Sequence, residues 1–421
     1  MRFATLQAWL EWQTAYHPKP IDLGLDRVRR VAARLDLLDP RATVITVGGT
    51  NGKGSSVAML ETALHLAGHR VVSYSSPHLD RYNERIRRNV EPADDLSIMA
   101  AFAAIDDARG TTSLSYFEFG TLAALWLARD YAADDLVLEV GLGGRLDAVN
   151  IIDADVALVT MIGLDHTEWL GPDLDSIGRE KAGIARVGKP LVVAQPNAPA
   201  GLLDSARAQG AVLVEAGVDF NYELGDGVWR WRRGAWVLDA LPLPALPGAH
   251  QLQNAAGVLA TLSCLPERSR PDPVFWRRAV GAARVPGRFE RFRNEHYEAV
   301  FDVAHNPDGA RALAMTLRAN PVEGRTVAII GVMRDKQVET MLEALDAQVS
   351  EWMLVQPEVD RAMDVRELER RVGAALPTAH YTSADSMALA IDLCRARLAY
   401  NDRLLVTGSF YTVAEARRIL L

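Results

Sequence analysis

Residues 42–66 read ATVITVGGTNGKGSSVAMLETALHL. The first six, Ala42 to Val47, form an apolar run short enough for a buried strand. From Val57 onward the apolar residues recur at helical spacing. Between them lies Gly48-Gly49-Thr50-Asn51-Gly52-Lys53-Gly54-Ser55-Ser56, a glycine-rich turn feeding a helix. Backbone N–H groups in such a turn point inward at an anion, the helix dipole adds to the attraction, and Lys53 supplies a mobile positive charge for outer phosphates. The strict G-x-x-x-x-G-K-[ST] pattern is not met. Val47 stands at its first glycine position, and Gly54 separates Lys53 from Ser55.

Outward from this loop, strand-like runs alternate with helix-length segments. HRVVSYSSPHL from His69 leaves its strand at Ser75-Ser76-Pro77, Asp135–Val140 runs into GLGGR, Ala154–Ile162 runs into GLDHTEW, and Lys189–Ala194 is a further run. Continuous rather than alternating apolar runs predict strands buried on both faces of a mostly parallel sheet covered by helices. Between about Ala211 and Leu246 the texture changes to VWRWRRGAWVL, which predicts a solvated β-hairpin turning near Arg233-Gly234, followed by the connector LPLPALPG. The strand pattern restarts with Tyr297–Val303, Thr326–Val332, Glu351–Val355 and Arg403–Thr407. The expected fold is α/β. A P-loop doubly wound domain with a small β-hairpin subdomain spans residues 1–290, and a smaller Rossmann-like α/β domain spans 291–421.

Composition narrows the function. The chain of 421 residues carries 46 Lys+Arg against 54 Asp+Glu, a net charge of −8, which argues against a general grip on nucleic acid or anionic lipid. Its 49% hydrophobic and 24% charged residues are those of an ordinary globular protein. Cys264 and Cys394 form no Cys-x-x-Cys pair, so neither a disulfide framework nor a thiolate zinc site is expected, and a reducing cytoplasm fits. Glu11 interrupts the apolar core a signal peptide would need, and no apolar run is long enough to span a membrane.

Ligands of open α/β sheets collect beyond the carboxyl ends of strands. Ser75, Ser76, Glu139 and His166 all fall there, and a hydroxyl, a carboxylate and an imidazole beside a triphosphate suit Mg²⁺, which keeps few protein ligands. Glu139 stands out because a carboxylate in an apolar strand costs several kcal/mol unless paired or metal-bound. Lys181, within GREKAGIARVGKP, reads from the residues alone as a surface charge on an amphipathic helix. His65 and His69 have zinc-helix spacing, but Leu66 replaces the glutamate of H-E-x-x-H and Gly68 marks a helix end, so solvent exposure is expected. In FDVAHNPDGARAL, Asn306-Pro307 reads as an N-cap and N1 pair, with Asp302 and His305 free either for a ligand or for the cap alone.

In order along nearly the whole chain, IDLGLDRV, VGGTNGKGSS, SSPHLDRYNERI, SYFEFGTLAAL, LEVGLGGRLDAVN, IGLDHTEWLG, REKAGI, HQLQNAA, VPGRFE, FDVAHNP and VTGSFYTV resemble the folylpolyglutamate synthase and dihydrofolate synthase family, grouped with the Mur ligases. The resemblance implies that Asn51, Gly52, Lys53, Gly54 and Ser55 hold ATP phosphates, with Asn254, Arg288, Asp302 and His305 completing the nucleotide site. It implies Mg²⁺ on Ser76, Glu139, His166 and a carbamylated Lys181, reversing the surface reading of that lysine, and gives Lys53, Lys181 and His166 catalytic roles. Asp22, Leu23, Gly24 and Leu25, with Ser115, Tyr116, Phe117 and Glu118, and Leu146, Asp147 and Ala148 nearby, are implied for the pteroate substrate. The implied enzyme is a cytoplasmic monomer using ATP to join L-glutamate to dihydropteroate, and further glutamates to tetrahydrofolate, through an acyl phosphate. A folylpolyglutamate synthase alone, a Mur-type ligase acting on a cell-wall nucleotide, and a P-loop regulator without ligase activity are the alternatives.

Overall fold

The computed structural model describes every residue except Met1, Pro18, Pro20 and Ile21. Ile21, the first residue of the IDLGLDRV stretch, therefore lies outside the described residues. The chain divides into two compact units, Met1–Ala245 with Leu252–Arg284, and Leu246–Gln251 with Val285–Leu421.

In the first unit, the described residues form a sheet in the order β4-β3-β2-β5-β1-β6-β7-β8. Its strands are β1 (Thr43–Gly48), β2 (Val71–Tyr74), β3 (Ile86–Arg88), β4 (Glu91–Pro92), β5 (Asp135–Glu139), β6 (Val156–Val159), β7 (Pro190–Val193) and β8 (Val212–Glu215). From β2 to β8 in that order the pairing is parallel, while β3 and β4 add an antiparallel edge. All of β1, β2, β5 and β6 is buried. Burial on both faces is why these strands read as unbroken apolar runs. The helices that concern the site are α1 (Leu6–Tyr16), α2 (Asp26–Arg34), α3 (Lys53–Leu66), α4 (Asp95–Arg109), α5 (Tyr116–Asp130), α6 (Thr167–Leu170) and α7 (Leu174–Ala182). Their buried faces join one core with the sheet, in which Trp9, Phe102 and Phe119 are fully enclosed.

The stretch expected as a single solvated hairpin is built differently. Its first strand, β8, extends the large sheet, and β9 (Phe220–Leu224), β10 (Val228–Arg233) and β11 (Trp236–Pro242) make a separate three-stranded antiparallel sheet. Only the arginine face of β10 is solvated. Trp229 and Trp231 are buried, with Trp231 and Trp236 packed at 6.4 and 5.4 Å from Trp276 of the helix Pro273–Ala282. Alternation along a strand thus separates a wet guanidinium face from an indole-filled one.

The second unit holds a sheet in the order β12-β13-β17-β14-β15-β16, comprising β12 (Glu290–Arg293), β13 (Glu298–Phe301), β14 (Thr326–Ile330), β15 (Glu351–Leu354), β16 (Tyr381–Ser383) and β17 (Arg403–Thr407). All neighbours are parallel except β12 and β13. After β13, Asn306 caps the helix Pro307–Ala319 by accepting the Gly309 N–H at 2.8 Å, with Pro307 at the first helical position, as expected.

His65 and His69 do not share a helix face. α3 stops at Leu66, Ala67 is its C-cap, and Gly68 turns the chain away with a φ of +89°. Neither ring is fully exposed as expected, because His69 Nδ1 pairs at 2.6 Å with Asp135, whose side chain is wholly buried at the start of β5. That hydrogen bond raises the His69 pKa against the opposing effect of burial. A raised folded-state pKa contributes stability that is complete below the ordinary value of 6.5 and is lost as pH rises through the folded value. Urea unfolding should therefore show stability falling as pH rises above about 6.5, and His69→Gln should flatten that decline. An unchanged slope in the variant would place the titration elsewhere.

Candidate active site

The carboxyl end of β1 sits between those of β5 and β6, where successive connections depart to opposite sides, the crevice in which open α/β sheets bind ligands. Two glycines shape the loop that leaves it. Gly49 has a φ of +140°, and a Cβ there would lie 1.9 Å from Thr160 Oγ1. Gly52, with a φ of +89°, caps α3, and its Cβ would fall 2.4 Å from Asn254 Oδ1. Only glycine fits both backbone conformation and space at these points. Thr160 braces the turn by donating to Asn51 O at 2.7 Å and Gly48 O at 3.2 Å, and Thr50 exchanges hydrogen bonds with the Gly163 backbone. Asn51, Gly52, Lys53, Gly54 and Ser55 are therefore held at the amino end of α3, where the helix dipole favours an anion.

Two ammonium groups converge on this loop. Lys53 Nζ donates to Gly49 O and Thr50 O, each at 3.1 Å, and Lys181 Nζ donates to the same Gly49 O at 3.0 Å. Lys181 is 4% exposed, so the surface reading from its helix pattern is wrong. The packing of α7 turns it inward. Burial, and secondarily the like charge of Lys53, pull the Lys181 pKa down to about 7. Asp165 and Asp147 act in the opposite sense.

Glu139 ends β5 and is 4% exposed, with Oε2 accepting the Ser76 N–H at 3.3 Å. The same oxygen lies 3.7 Å from where a Cβ on Gly54 would stand, so the carboxylate borders the glycine-rich loop. His166 occupies a left-handed position, φ +52°, opening α6 directly after Asp165. Asp147 is buried, accepting N–H groups of Gly141, Leu142 and Val149 at 2.8–3.0 Å, and burial pushes its pKa up to about 6 against those bonds. Among the described residues no three His, Cys, Asp or Glu side chains cluster as a self-sufficient metal site. Ser76 and Glu139, joined by the hydrogen bond from the Ser76 N–H, are oxygen donors of the kind a hard cation takes when phosphate and water supply its remaining ligands.

The implied acceptor segments also meet in part. A Cβ on Gly141 would touch the Phe117 ring at 2.6 Å and Asp147 Oδ2 at 3.3 Å, so α5 and the Leu146-Asp147-Ala148 turn flank one glycine, two residues beyond Glu139. Ser115 and Glu118 form a capping box at the start of α5, next to Tyr116 and Phe117. Asp22, before Leu23-Gly24-Leu25, reaches Arg27 of α2 at 2.8 Å.

In the second unit, Asp302 accepts the Phe289 and Ala304 N–H groups at 2.9 Å, and burial raises its pKa despite the nearby Arg288. His305 Nδ1 lies 2.9 Å from Val303 O and so carries the proton. Its ring lies 5.9 Å from that of Phe410, over which Arg288 stacks at 5.3 Å. Arg288, Asp302 and His305 thus form one group built on Phe410. Sequence reading overlooked Phe410, although it stands in VTGSFYTV, and also Thr160, a polar residue directly after β6 inside the run Ala154–Ile162.

The Mur ligase glutamate ligase domain family matches residues 287–410. The dihydrofolate synthase/folylpolyglutamate synthase of Escherichia coli strain K12 is 44% identical over 415 residues, 99% of this chain and 95% of that one. The structure of E. coli FolC in complex with DHPP and ADP superposes with a TM-score of 0.93 at 44% identity, over 99% of this chain and 98% of that one. A bifunctional folylpolyglutamate synthase/dihydrofolate synthase with Mn, AMPPNP and L-glutamate bound gives 0.90 at 41% identity, over 99% and 98%. With likeness at this level along the whole chain, not in the loop alone, the protein belongs to the dihydrofolate synthase/folylpolyglutamate synthase family of Mur-type ligases.

Proposed function

We propose that this protein adds L-glutamate to 7,8-dihydropteroate and further glutamates to tetrahydrofolate, using ATP. The observation that carries the reading is the convergence of Lys53 and buried Lys181 on Gly49 O, with Glu139 at the edge of the same loop. Residues 1–290 bind the nucleotide and 291–421 act as the glutamate-ligase domain. The family resemblance also carries Asn254, Arg288, Asp302 and His305 to the nucleotide, and Asp22–Leu25, Ser115–Glu118 and Leu146–Ala148 to the acceptor.

The acceptor carboxylate attacks the γ-phosphorus of ATP and the bond to the β,γ-bridging oxygen breaks, giving an acyl phosphate and ADP. The glutamate amine then attacks the acyl carbon, loses a proton and expels phosphate as the amide forms. No protein nucleophile is needed, so the residues act by positioning and by offsetting charge. Lys53, its ammonium already over the loop, follows negative charge onto the departing ADP. Ser76, Glu139, His166 and a carbamate on Lys181 are the groups that would hold Mg²⁺, whose charge eases the repulsion between carboxylate and triphosphate.

The environment of Lys181 supports its carbamylation. With a pKa near 7, much of the amine is neutral at cytoplasmic pH and able to add CO₂, releasing one proton and leaving an anion. Like-charge repulsion with Lys53 becomes attraction. The same resemblance supports a monomeric, cytoplasmic enzyme with small molecules as its partners.

Radiolabelled glutamate should be incorporated into both dihydropteroate and tetrahydrofolate only with ATP and Mg²⁺. Lys53→Ala and Glu139→Ala should each lower turnover by about a hundredfold or more. Use of tetrahydrofolate alone would reduce the activity to polyglutamylation, and use of neither by protein that binds ATP would leave a nucleotide-binding regulator. Separately, ¹³C-bicarbonate should give a carbamate signal by ¹³C NMR that fades as pH falls through about 7 and is missing in Lys181→Ala. A signal that survives in the variant would remove Lys181 from that role.

A further inference from the structure

The first unit also contains a chain of charges that the chemistry above does not use. Arg27 Nη1 lies 2.8 Å from Asp22 Oδ2, while Arg27 Nη2 donates to Asp22 O at 2.8 Å and to Glu118 Oε1 at 3.2 Å. The other oxygen of Glu118 accepts the Ser115 N–H at 2.7 Å, closing the capping box of α5. One guanidinium therefore spans both segments, 22–25 and 115–118, that the proposed function gives to the acceptor.

A purely stabilising role does not account for this arrangement. Among the described residues, Arg27 Nε and both ring nitrogens of His17 are buried without a hydrogen-bond partner, although His17 Nε2 stands 3.3 Å from Asp22 Oδ2. Each such orphan costs folding free energy, and apolar side chains of similar volume would pack the same space without that penalty. What the charges provide is direction. The planar fork of Arg27 reaches a carboxylate and a carbonyl on the loop, and a carboxylate on α5, in one fixed geometry.

We propose that Arg27 is a positioning residue for the pteroate acceptor, holding the 22–25 loop in register with the amino end of α5 so that the flat pterin meets a preformed pair of walls. This rests on the ligase reading above. Arg27 acts through Asp22 and Glu118 and has no role at the phosphate loop.

Steady-state kinetics of Arg27→Gln, Arg27→Lys and Asp22→Asn, each checked by circular-dichroism melting, test it. In Arg27→Gln the KM for dihydropteroate should rise about tenfold or more, with kcat and the KM for ATP within about twofold of wild type. Arg27→Lys should fall between, because a point charge engages only one of the partners. A folded Arg27→Gln protein with the wild-type acceptor KM, or one that loses acceptor and ATP binding in parallel, would overturn the proposal. If Arg27→Gln does not fold, Asp22→Asn removes the charge from the loop side of the ion pair while leaving the bond to Asp22 O, and an unchanged acceptor KM there overturns the proposal equally. A wild-type protein that never glutamylates dihydropteroate would refute the ligase reading, whereas an active Arg27→Gln with unchanged KM leaves that reading intact.

Discussion

Two lysine ammonium groups reach one backbone carbonyl, Gly49 O, and the rest of the site is arranged around that crowding. Left alone, two cations at hydrogen-bond distance from one oxygen repel, and burial worsens the repulsion by removing the water that would screen it. Anions are the remedy, and the architecture gathers them. Glu139 arrives at the end of β5, and Asp147 and Asp165 lie within electrostatic reach of Lys181. A triphosphate entering such a loop meets positive charge already desolvated and oriented, so little reorganisation remains.

This convergence depends on strand order. The register that sets Val47 opposite Glu139, and Gly48 opposite Val159, brings the phosphate loop, the carboxylate and the Thr160 brace to one edge of the sheet. Parallel strands make this possible, because every βα connection leaves from the same edge. The opposite edge is occupied by His69 and Asp135, a pair that joins the starts of β2 and β5 and takes no part in the chemistry. Stability and function thus occupy opposite ends of the same strands.

The parallel strands and the phosphate loop were legible because their signals are local. An apolar run, a glycine turn and a helical period all lie within about 25 residues of one another. Lys181 was not legible from its own segment, since an amphipathic pattern reports which face of a helix is apolar but not which loop packs over its polar residues. The family resemblance supplied what periodicity could not. Trp229 and Trp231 misled in a related way: a solvated hairpin and one covered by the Pro273–Ala282 helix share the same alternation, and only the tertiary partner separates them. The short strands β3, β4, β12 and β16 left no apolar run because they sit at or next to sheet edges, where one side of the backbone needs no apolar cover.

Burial pushes the ionisable groups of this edge toward one another on the pH scale. Asp147 rises to about 6 and Lys181 falls to about 7, each driven first by loss of water. Near neutrality Lys181 is divided between its two protonation states, which is costly in a folded interior and of little use for stability alone. The low local polarity that shifts these groups also strengthens every charged contact made at this edge. An edge tuned in this way favours a reaction in which charge moves from carboxylate to acyl phosphate to leaving phosphate, because each transient anion finds an oriented cation or N–H group in place of water. The same argument explains why Arg27 and His17 keep nitrogens with no hydrogen-bond partner among the described residues. Around this crevice orientation has been favoured over the last increments of stability, which the apolar core beneath the sheet can supply.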